Sequence, residues 1–552
     1  MIHLGVQSYP AFRGVIELND ALVAHDVDMA VWLCEKISQA YKERAEIWSL
    51  CATVALLNLD LERNEYCLKK AISLDPSNFQ YYYRFAVPQM PLLESVEQIR
   101  MGRTKMKHRL NLLEKRAGKF SCPYPNPNEI FLQNNRKLLD VQHMCSINFF
   151  NVYHGENDRE INEQICRIFR KVCPILDRRA DHVGRVRRPG ERLRLGIVSK
   201  HMYNHTIGSL FGEFLMRLPS ARFHKTLVML HQVKDATTEH FEGNFDKTIS
   251  IDQTLQRTAQ RIADERFDVI LYPDIGMNSF TSFLSMMRLA TAQCVTWGHP
   301  VTTGIDTMDT FLSIDDLEVD SADHYSERVL TQTLANLYFT PPIVVDCTRA
   351  DFSLPEDKNI YGCPQTLVKF HPLFDSILVE ILRRDPNGYI VLLGSDGSEK
   401  STIIARIRAA SPELAERFLW VSSQSRSRYL ALIKCFDVML DPYPFGGGNT
   451  VLESFSVLTP VITLPPVYAR GRLCYAFYRQ CGFEELIATD VEDYISLALR
   501  LTREPEFREH AVRCIERGNP RLFRRDEAVL QFGELLSESY RYGLDKIQSG
   551  SR

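Results

Sequence analysis

The sequence lacks several of the features by which large chains declare a function. No two of its 14 cysteines form a C-x-x-C pair, which sets aside the common zinc-ribbon and dithiol redox spacings and predicts reduced thiols. No run approaches the ~18 consecutive apolar residues of a membrane span. Residues Met1 to Arg13 show no charged segment leading into an apolar stretch and a small-residue cleavage site. The expectation is a cytoplasmic protein with no membrane partner. There is no basic surplus either: 66 Lys and Arg stand against 69 Asp and Glu, for a net charge of −3. Duplex binding needs such a surplus to displace counterions, so nucleic acid is not expected as a partner. One local run, Arg185, Arg187, Arg188, Arg192 and Arg194, reads as a solvated linker before a strand or, alternatively, as a phosphate contact. Low-complexity tracts and long tandem arrays are also missing.

What is present is ordinary globular material: 552 residues, 45% hydrophobic and 24% charged, long enough for two to four domains. From about Val15 to Met106 apolar residues recur every three or four positions, the helical period. Ala45 to Asn78 is a 34-residue window ending in LDPSN, with Trp48, Leu68, Ala71 and Pro76 where a tetratricopeptide repeat wants large, large, small and proline. Asn64 stands where that repeat prefers alanine, and a generic helical hairpin is the alternative. A single repeat cannot bury its own faces, so the helices around Val15 to Ala40 are the expected partner. Met106 to Arg179 reads as further helices interrupted by SCPYPNPNE.

The period changes at Arg192. LRLGIVS, HKTLVML, FDVILYPD, AQCVTWG and DTFLSID are short apolar runs suited to buried strands. A second series, YIVLLGS, RFLWVSS, CFDVMLDP and PVITLPP, follows a break near Thr340-Pro341-Pro342. Strands alternating with helical patterns predict parallel sheets covered on both faces. The fold class is therefore α/β, with two doubly wound lobes facing one another behind a helical front. The expected divisions are 1–106, a connector over 107–190, and lobes over 191–342 and 343–552. Ligands of such sheets sit at the C-terminal ends of the strands.

The VMLD run ends in DPYPFGGGNT and then VLESFSVL, a glycine-rich turn entering a helix. Gly446, Gly447 and Gly448 clear side chains from the turn, and Asn449 and Thr450 open the helix, whose N-terminal N–H groups and dipole suit a phosphate. The alternative is a glycine turn with Asn449 as a simple cap; no G-K-[ST] and no G-x-G-x-x-G is present there. Glu453, one turn on, has the reach to hold ribose hydroxyls. Lys369 in CPQTLVKFHP is a point charge for a diphosphate or else a surface lysine. His205, in SKHMYNHTIGSLF, and His299, in TWGHPVTTG, each follow a predicted strand. His201 and His205 have the i, i+4 spacing of a metal pair, yet no adjacent Glu or third ligand accompanies them. No metal is expected: the Asp26-Val27-Asp28 triplet lies on a predicted N-terminal helix, far from any strand end.

Together the segments LRLGIVSKHMYNHTIGSLF, FDVILYPDIGM, WGHPVTTGIDTMDTFLSID, CPQTLVKFHP, DPYPFGGGNTVLESFSVLTPVITLPP and RLCYAFYRQCGFEELIATDVEDYISLALRL resemble the O-GlcNAc transferase family, with its SPINDLY-like members and the related cytoplasmic N-glucosyltransferases. The resemblance spans roughly Leu193 to Leu536. It implies a GT-B architecture with the acceptor on the first lobe and the nucleotide sugar on the second. It also implies an inverting, metal-independent transfer from a UDP-sugar, with GlcNAc as the first expectation, to protein side chains. Carried over by position, Lys369, Asn449 and Thr450 would bind the diphosphate and Glu453 the ribose. Gln365, Gln424, Gly447, Gly448 and Arg472 fall at or near donor contacts, and His205 and His299 are the candidates near the sugar and acceptor. Two positions depart from the animal enzymes, which have His-Thr-Thr over Gly448-Asn449-Thr450 and Asp at Glu453. UDP-glucose with an asparagine acceptor, GDP-fucose, a small-molecule or polysaccharide acceptor and a non-enzymatic helical adaptor stay open as alternatives.

Overall fold

The computed structural model describes residues 10–24, 26–120, 148–188, 190–394 and 397–550; the SCPYPNPNE segment lies outside them. The front begins with four helices, Pro10–Val23, Val27–Ala40, Ala45–Leu57 and Leu61–Leu74, packed in sequence around an apolar core of their own that includes Leu33, Trp48, Leu68 and Ala71. Asp26 and Asp60 start two of these helices by accepting the N–H groups of Met29 and Arg63. The 34-residue window is thus a helical hairpin. Asn64, buried where a small residue was expected, donates its amide to the Ala52 carbonyl at 2.6 Å, so the polar group is satisfied rather than excluded.

Helices Phe79–Ala86, Val96–Arg116 and Arg159–Val172 continue into the main core shared by both lobes. The first lobe is a parallel sheet of seven strands: β1 Leu193–Ser199, β2 Phe223–Met229, β3 Lys247–Ser250, β4 Val269–Tyr272, β5 Ala292–Thr296, β6 Thr310–Ile314 and β7 Arg328–Gln332. Their spatial order is β3-β2-β1-β4-β5-β6-β7. The second lobe has five parallel strands, β8 Asn359–Cys363, β9 Gly388–Leu393, β10 Phe418–Val421, β11 Val438–Leu440 and β12 Val461–Ile462, ordered β10-β9-β8-β11-β12. In both sheets the order reverses beside the first strand, which opens a crevice at the C-terminal strand ends. Leu195, Ile197 and Val198 of β1 are fully buried, as expected of a strand covered on both faces.

The arginine run is tied down locally: Arg187 is paired with Asp268 at 2.8 Å, and Arg192 donates to the Ser220 carbonyl at 3.1 Å. Among the described residues no helix is long and apolar enough to cross a membrane.

The domain division needs one correction. Residues 343–552 were expected to form the second lobe as a unit, but the last helix, Asp526–Gln548, returns to the first sheet. Its Ser539 hydroxyl shares a 2.8 Å hydrogen bond with Thr310 on β6, and Tyr540 donates to the Arg185 carbonyl at 2.9 Å. Phe532 and Leu536 bury its apolar stripe. Helical periodicity shows that such a stripe exists but not which sheet it covers. We therefore expect Leu536→Ala to cost ~2–5 kcal/mol in urea unfolding and to speed amide exchange in the first sheet, with β8–β12 little affected.

Candidate donor cleft between the lobes

The two sets of strand ends face each other across a cleft of about 580 Å³ lined from both lobes. On the second lobe, β11 delivers Asp441 to the start of the glycine-rich loop. Its carboxylate accepts the Gly447 N–H at 2.6 Å and the Thr463 hydroxyl at 2.7 Å, and burial pushes its pKa up to about 6. Those two bonds fold the loop back on itself and aim its far end at the cleft. Gly447 has no room for a side chain: a Cβ there would lie 2.5 Å from the Thr450 hydroxyl oxygen and 2.9 Å from the Gln365 amide nitrogen.

The helix that follows runs Asn449–Ser456, with Gly448 at its N-cap and no side-chain cap. Asn449 is thus the first helical residue rather than the cap. Its amide oxygen is buried without a hydrogen-bond partner. Among the described residues the backbone N–H groups of Gly448, Asn449 and Thr450 have no acceptor either. An uncapped helix start facing a cleft carries partial positive charge and open donors.

Lys369 approaches from the other side, at the end of the short turn Leu367–Lys369 beyond β8. Its ammonium donates to the Gln365 side-chain oxygen at 2.8 Å and the Gly446 carbonyl at 3.0 Å. Gln365 in turn donates to the Thr450 hydroxyl at 2.7 Å. Lys369, Gln365 and Thr450 therefore form one continuous chain across the floor, in contact with the loop at both ends. Burial lowers the Lys369 pKa to about 8, opposed by the nearby Asp441 carboxylate.

Glu453 lies one helical turn deeper, buried, and its carboxylate pKa is raised by that burial, with Arg426 pulling the other way. Arg426 donates to Glu453 at 3.3 Å and reaches Ser209 of the first lobe at 3.5 Å. Arg426, Tyr429 and Phe445 all line the cleft, and sequence reading passed over them. Arg426 and Tyr429 lie just after β10, where the strand-end rule directs attention, in a helix with no distinctive motif. Gln424, singled out nearby, bonds to the Ser422 carbonyl and Arg428 and does not line the cleft.

On the first lobe His205 lines the cleft as the N-cap of helix Thr206–Met216. Its Nδ1 accepts the Ile207 N–H at 3.2 Å, and burial lowers its pKa. A neutral ring that accepts at Nδ1 carries its proton on Nε2. His201 stacks on His205 with ring centroids 4.6 Å apart, a face-to-face arrangement in place of two nitrogens converging on an ion.

His299 and Arg472 are placed differently from expectation. His299 is buried beneath the cleft between Gly298 and Pro300, which do line it. The ring stacks on Phe149 at 5.6 Å, and burial lowers its pKa to about 4. Its flanking residues carried the signal; the imidazole itself is packing. Arg472 donates to the Pro466 carbonyl at 3.1 Å and the Asp316 carbonyl at 3.3 Å, so it joins the lobes beside the cleft while its neighbour Leu473 lines it.

With this geometry in place, comparison with known proteins finds likenesses that include a family match to part of the second lobe. Residues 330–524 match glycosyl transferase family 41. The matched segment holds Lys369, the glycine-rich loop and Glu453. Among curated relatives, the chain is 24% identical over 390 residues to the UDP-glucose:protein N-beta-glucosyltransferase of Actinobacillus pleuropneumoniae serotype 5b (strain L20), covering 69% of this chain and 61% of that protein. It is 25% identical over 344 residues to the probable UDP-N-acetylglucosamine–peptide N-acetylglucosaminyltransferase SEC of Arabidopsis thaliana, covering 57% of this chain and 34% of that one. The chain thus matches only about a third to three fifths of the length of these relatives. A solved structure of an O-GlcNAc transferase mutant from Thermobaculum terrenum superposes with a TM-score of 0.69 at 19% identity, covering 99% of this chain and all of that one. The fold is the GT-B type: two facing parallel-sheet lobes behind a helical front.

The tight seat of Gly447 gives a direct check. Gly447→Ala should break the Gln365–Thr450 bond and cost ~1–3 kcal/mol through overpacking, read as a lowered Tm.

Proposed function

We propose that this chain is a glycosyltransferase that transfers a sugar from a UDP-sugar, GlcNAc in the first reading, to protein side chains. The observation that carries the proposal is the pairing across one cleft of the Lys369 ammonium with an uncapped helix start whose N–H groups lack acceptors. A diphosphate between them would meet a point charge on one side and oriented backbone donors on the other. Glu453, placed one turn behind, would take the ribose hydroxyls, with Arg426 holding its carboxylate in position.

The proposed chemistry is a single displacement with inversion. An acceptor hydroxyl, entering from the first lobe, attacks the anomeric carbon as the bond to the β-phosphate oxygen breaks, and its proton passes to solvent water. Negative charge then grows on the departing UDP, where Lys369 and the helix start stabilise it. Glu453 is the one carboxylate among the described residues lining the cleft, and it is engaged by Arg426. The reading therefore assigns leaving-group stabilisation to the lysine and the backbone, and calls on no metal. His205, with Nε2 protonated, would donate a hydrogen bond to the sugar or acceptor and so orient it. Its Nδ1 is already occupied, which argues against its taking the acceptor proton.

A second donor, UDP-glucose with an amide acceptor, is favoured by one observation: the match to the Actinobacillus N-glucosyltransferase covers 69% of this chain, more than the match to the Arabidopsis protein. A nucleotide-sugar panel separates the readings. The preferred donor should stabilise the full chain by ~2.7 kcal/mol at a hundredfold excess over Kd, and loss of the charged bond in Lys369→Ala should weaken that donor ~10- to 100-fold. If UDP-GlcNAc, UDP-glucose and GDP-fucose all leave the melting curve unmoved, the transferase reading is wrong.

The lysine also sets a pH dependence. In the free protein Lys369 loses its proton near pH 8, whereas a bound diphosphate would keep it charged. Binding above that pH must take up a proton, so UDP affinity should fall as pH rises through about 8 and be flat below it. Isothermal titration at pH 6.5, 7.5, 8.5 and 9.5 checks the sign, and Lys369→Arg should abolish the slope.

A further inference from the structure

The glycine-rich loop is held by more than its own lobe. Gly446 sits at a crossing: its carbonyl accepts the Lys369 ammonium at 3.0 Å, and its N–H donates to the Arg470 carbonyl at 3.1 Å. Arg470 belongs to the short turn Ala469–Gly471 beyond β12. Its side chain is buried and leaves the second lobe altogether. The guanidinium donates to the Glu156 carbonyl and lies 3.6 Å from the Asp158 carboxylate. Arg103, on helix Val96–Arg116, holds the other oxygen of Asp158 at 2.8 Å and the Asn157 carbonyl at 2.7 Å. All three side chains are enclosed, at 7% exposure for Arg103 and 2% each for Asp158 and Arg470.

The segment that carries Asp158 touches both walls of the cleft. Phe149 stacks on His299 of the first lobe at 5.6 Å, and Tyr153 packs on Phe445 of the loop at 4.7 Å. Gly155 turns at φ +72°, where a Cβ would lie 2.7 Å from Pro444. Residues 149–158 thus form a wedge pressed against the loop at Pro444 and Phe445 and linked to it through Arg470.

We propose that Asp158 and Arg470 are positioning residues of the donor site: the buried Arg103–Asp158–Arg470 trio fixes the wedge, and the wedge sets Gly446 at the height Lys369 requires. The inference rests on the donor reading for its consequence, though not for its geometry. The trio holds two cations and one anion, so removing Asp158 leaves two buried guanidiniums uncompensated, whereas removing Arg470 leaves the Arg103–Asp158 pair balanced at 2.8 Å. Positioning and mere stability can therefore be told apart.

The test uses the full chain. UDP affinity is measured by calorimetry, and amide exchange of the 441–450 segment is followed without ligand, in Arg470→Met, Arg470→Lys and Asp158→Asn. Arg470→Met should raise the UDP Kd about tenfold and speed exchange of that segment, with Arg470→Lys restoring most of both. Arg470→Met, which keeps the Arg103–Asp158 pair, should hold most of the Tm while losing affinity and protection, whereas Asp158→Asn, which leaves two facing cations, should lower the Tm as well. Donor KM should rise while acceptor KM holds. Unchanged exchange in folded Arg470→Met overturns the inference. Failure of the wild type to bind UDP defeats the donor reading instead, and leaves the exchange result to decide the brace.

Discussion

An ammonium at the floor of a cleft, bonded to two neutral oxygens and with no carboxylate in salt-bridge contact, is under electrostatic tension. Lys369 is such a group: burial depresses its pKa to about 8, and Asp441 acts on it through space without a shared hydrogen bond. Closing a salt bridge would relieve the tension but spend the charge internally. The surrounding structure instead supplies Gln365 and the Gly446 carbonyl, which orient the ammonium without neutralising it. Asp441 is diverted to the Gly447 N–H and the Thr463 hydroxyl, so the one nearby carboxylate shapes the loop and leaves the lysine for an incoming anion.

The rest of the site follows from keeping that charge and the helix start in register. Gln365 bonds to both jaws, to Lys369 at its oxygen and to Thr450 at its nitrogen, so neither can shift alone. Gly447 is required because any Cβ would enter this chain. The two lobes are joined at the rim by Arg426 reaching Ser209 and by Arg472 reaching Asp316. These are exposed or partly exposed contacts, which carry little energy individually, and they suit lobes that open and close around a ligand.

Much of this was legible in the sequence, for reasons that can be named. Strands such as LRLGIVS and CFDVMLDP are buried on both faces and write themselves as apolar runs, and glycines, Lys369 and Glu453 stand out because their chemistry is local. β3 and β7 were missed because they are edge strands, exposed at Lys247 and Arg328, where composition turns polar. In the GHP triplet Gly298 and Pro300 line the cleft, while the imidazole of His299 stacks on Phe149, a contact distant in sequence that no local pattern announces. Asn449 opens the helix as its first residue, with Gly448 at the N-cap, so the simple-cap alternative falls away. Arg426, Arg470 and the last helix share one cause. Their roles are set by partners distant in sequence, and periodicity is silent about partners.

The same distance explains why the helical front cannot be regarded as an appendage. The glycine-rich loop is linked through Arg470 to Asp158 and Arg103, more than 300 residues upstream. Arg406 repeats the arrangement nearby, paired with Asp375 at 2.6 Å while donating to the Leu93 carbonyl of the front. Both devices bury a guanidinium at the seam: Arg406 bonds to Asp375 and to the Leu93 carbonyl, and Arg470 bonds to the Glu156 carbonyl and faces Asp158 at 3.6 Å. Apolar packing alone would hold these bodies together but would tolerate small slides. Charged hydrogen bonds are directional and lose energy steeply when misaligned, so they fix the angle at which the front meets the loop. In a cleft that brings a single lysine and a few open backbone N–H groups together, that angle governs whether the two jaws face one another.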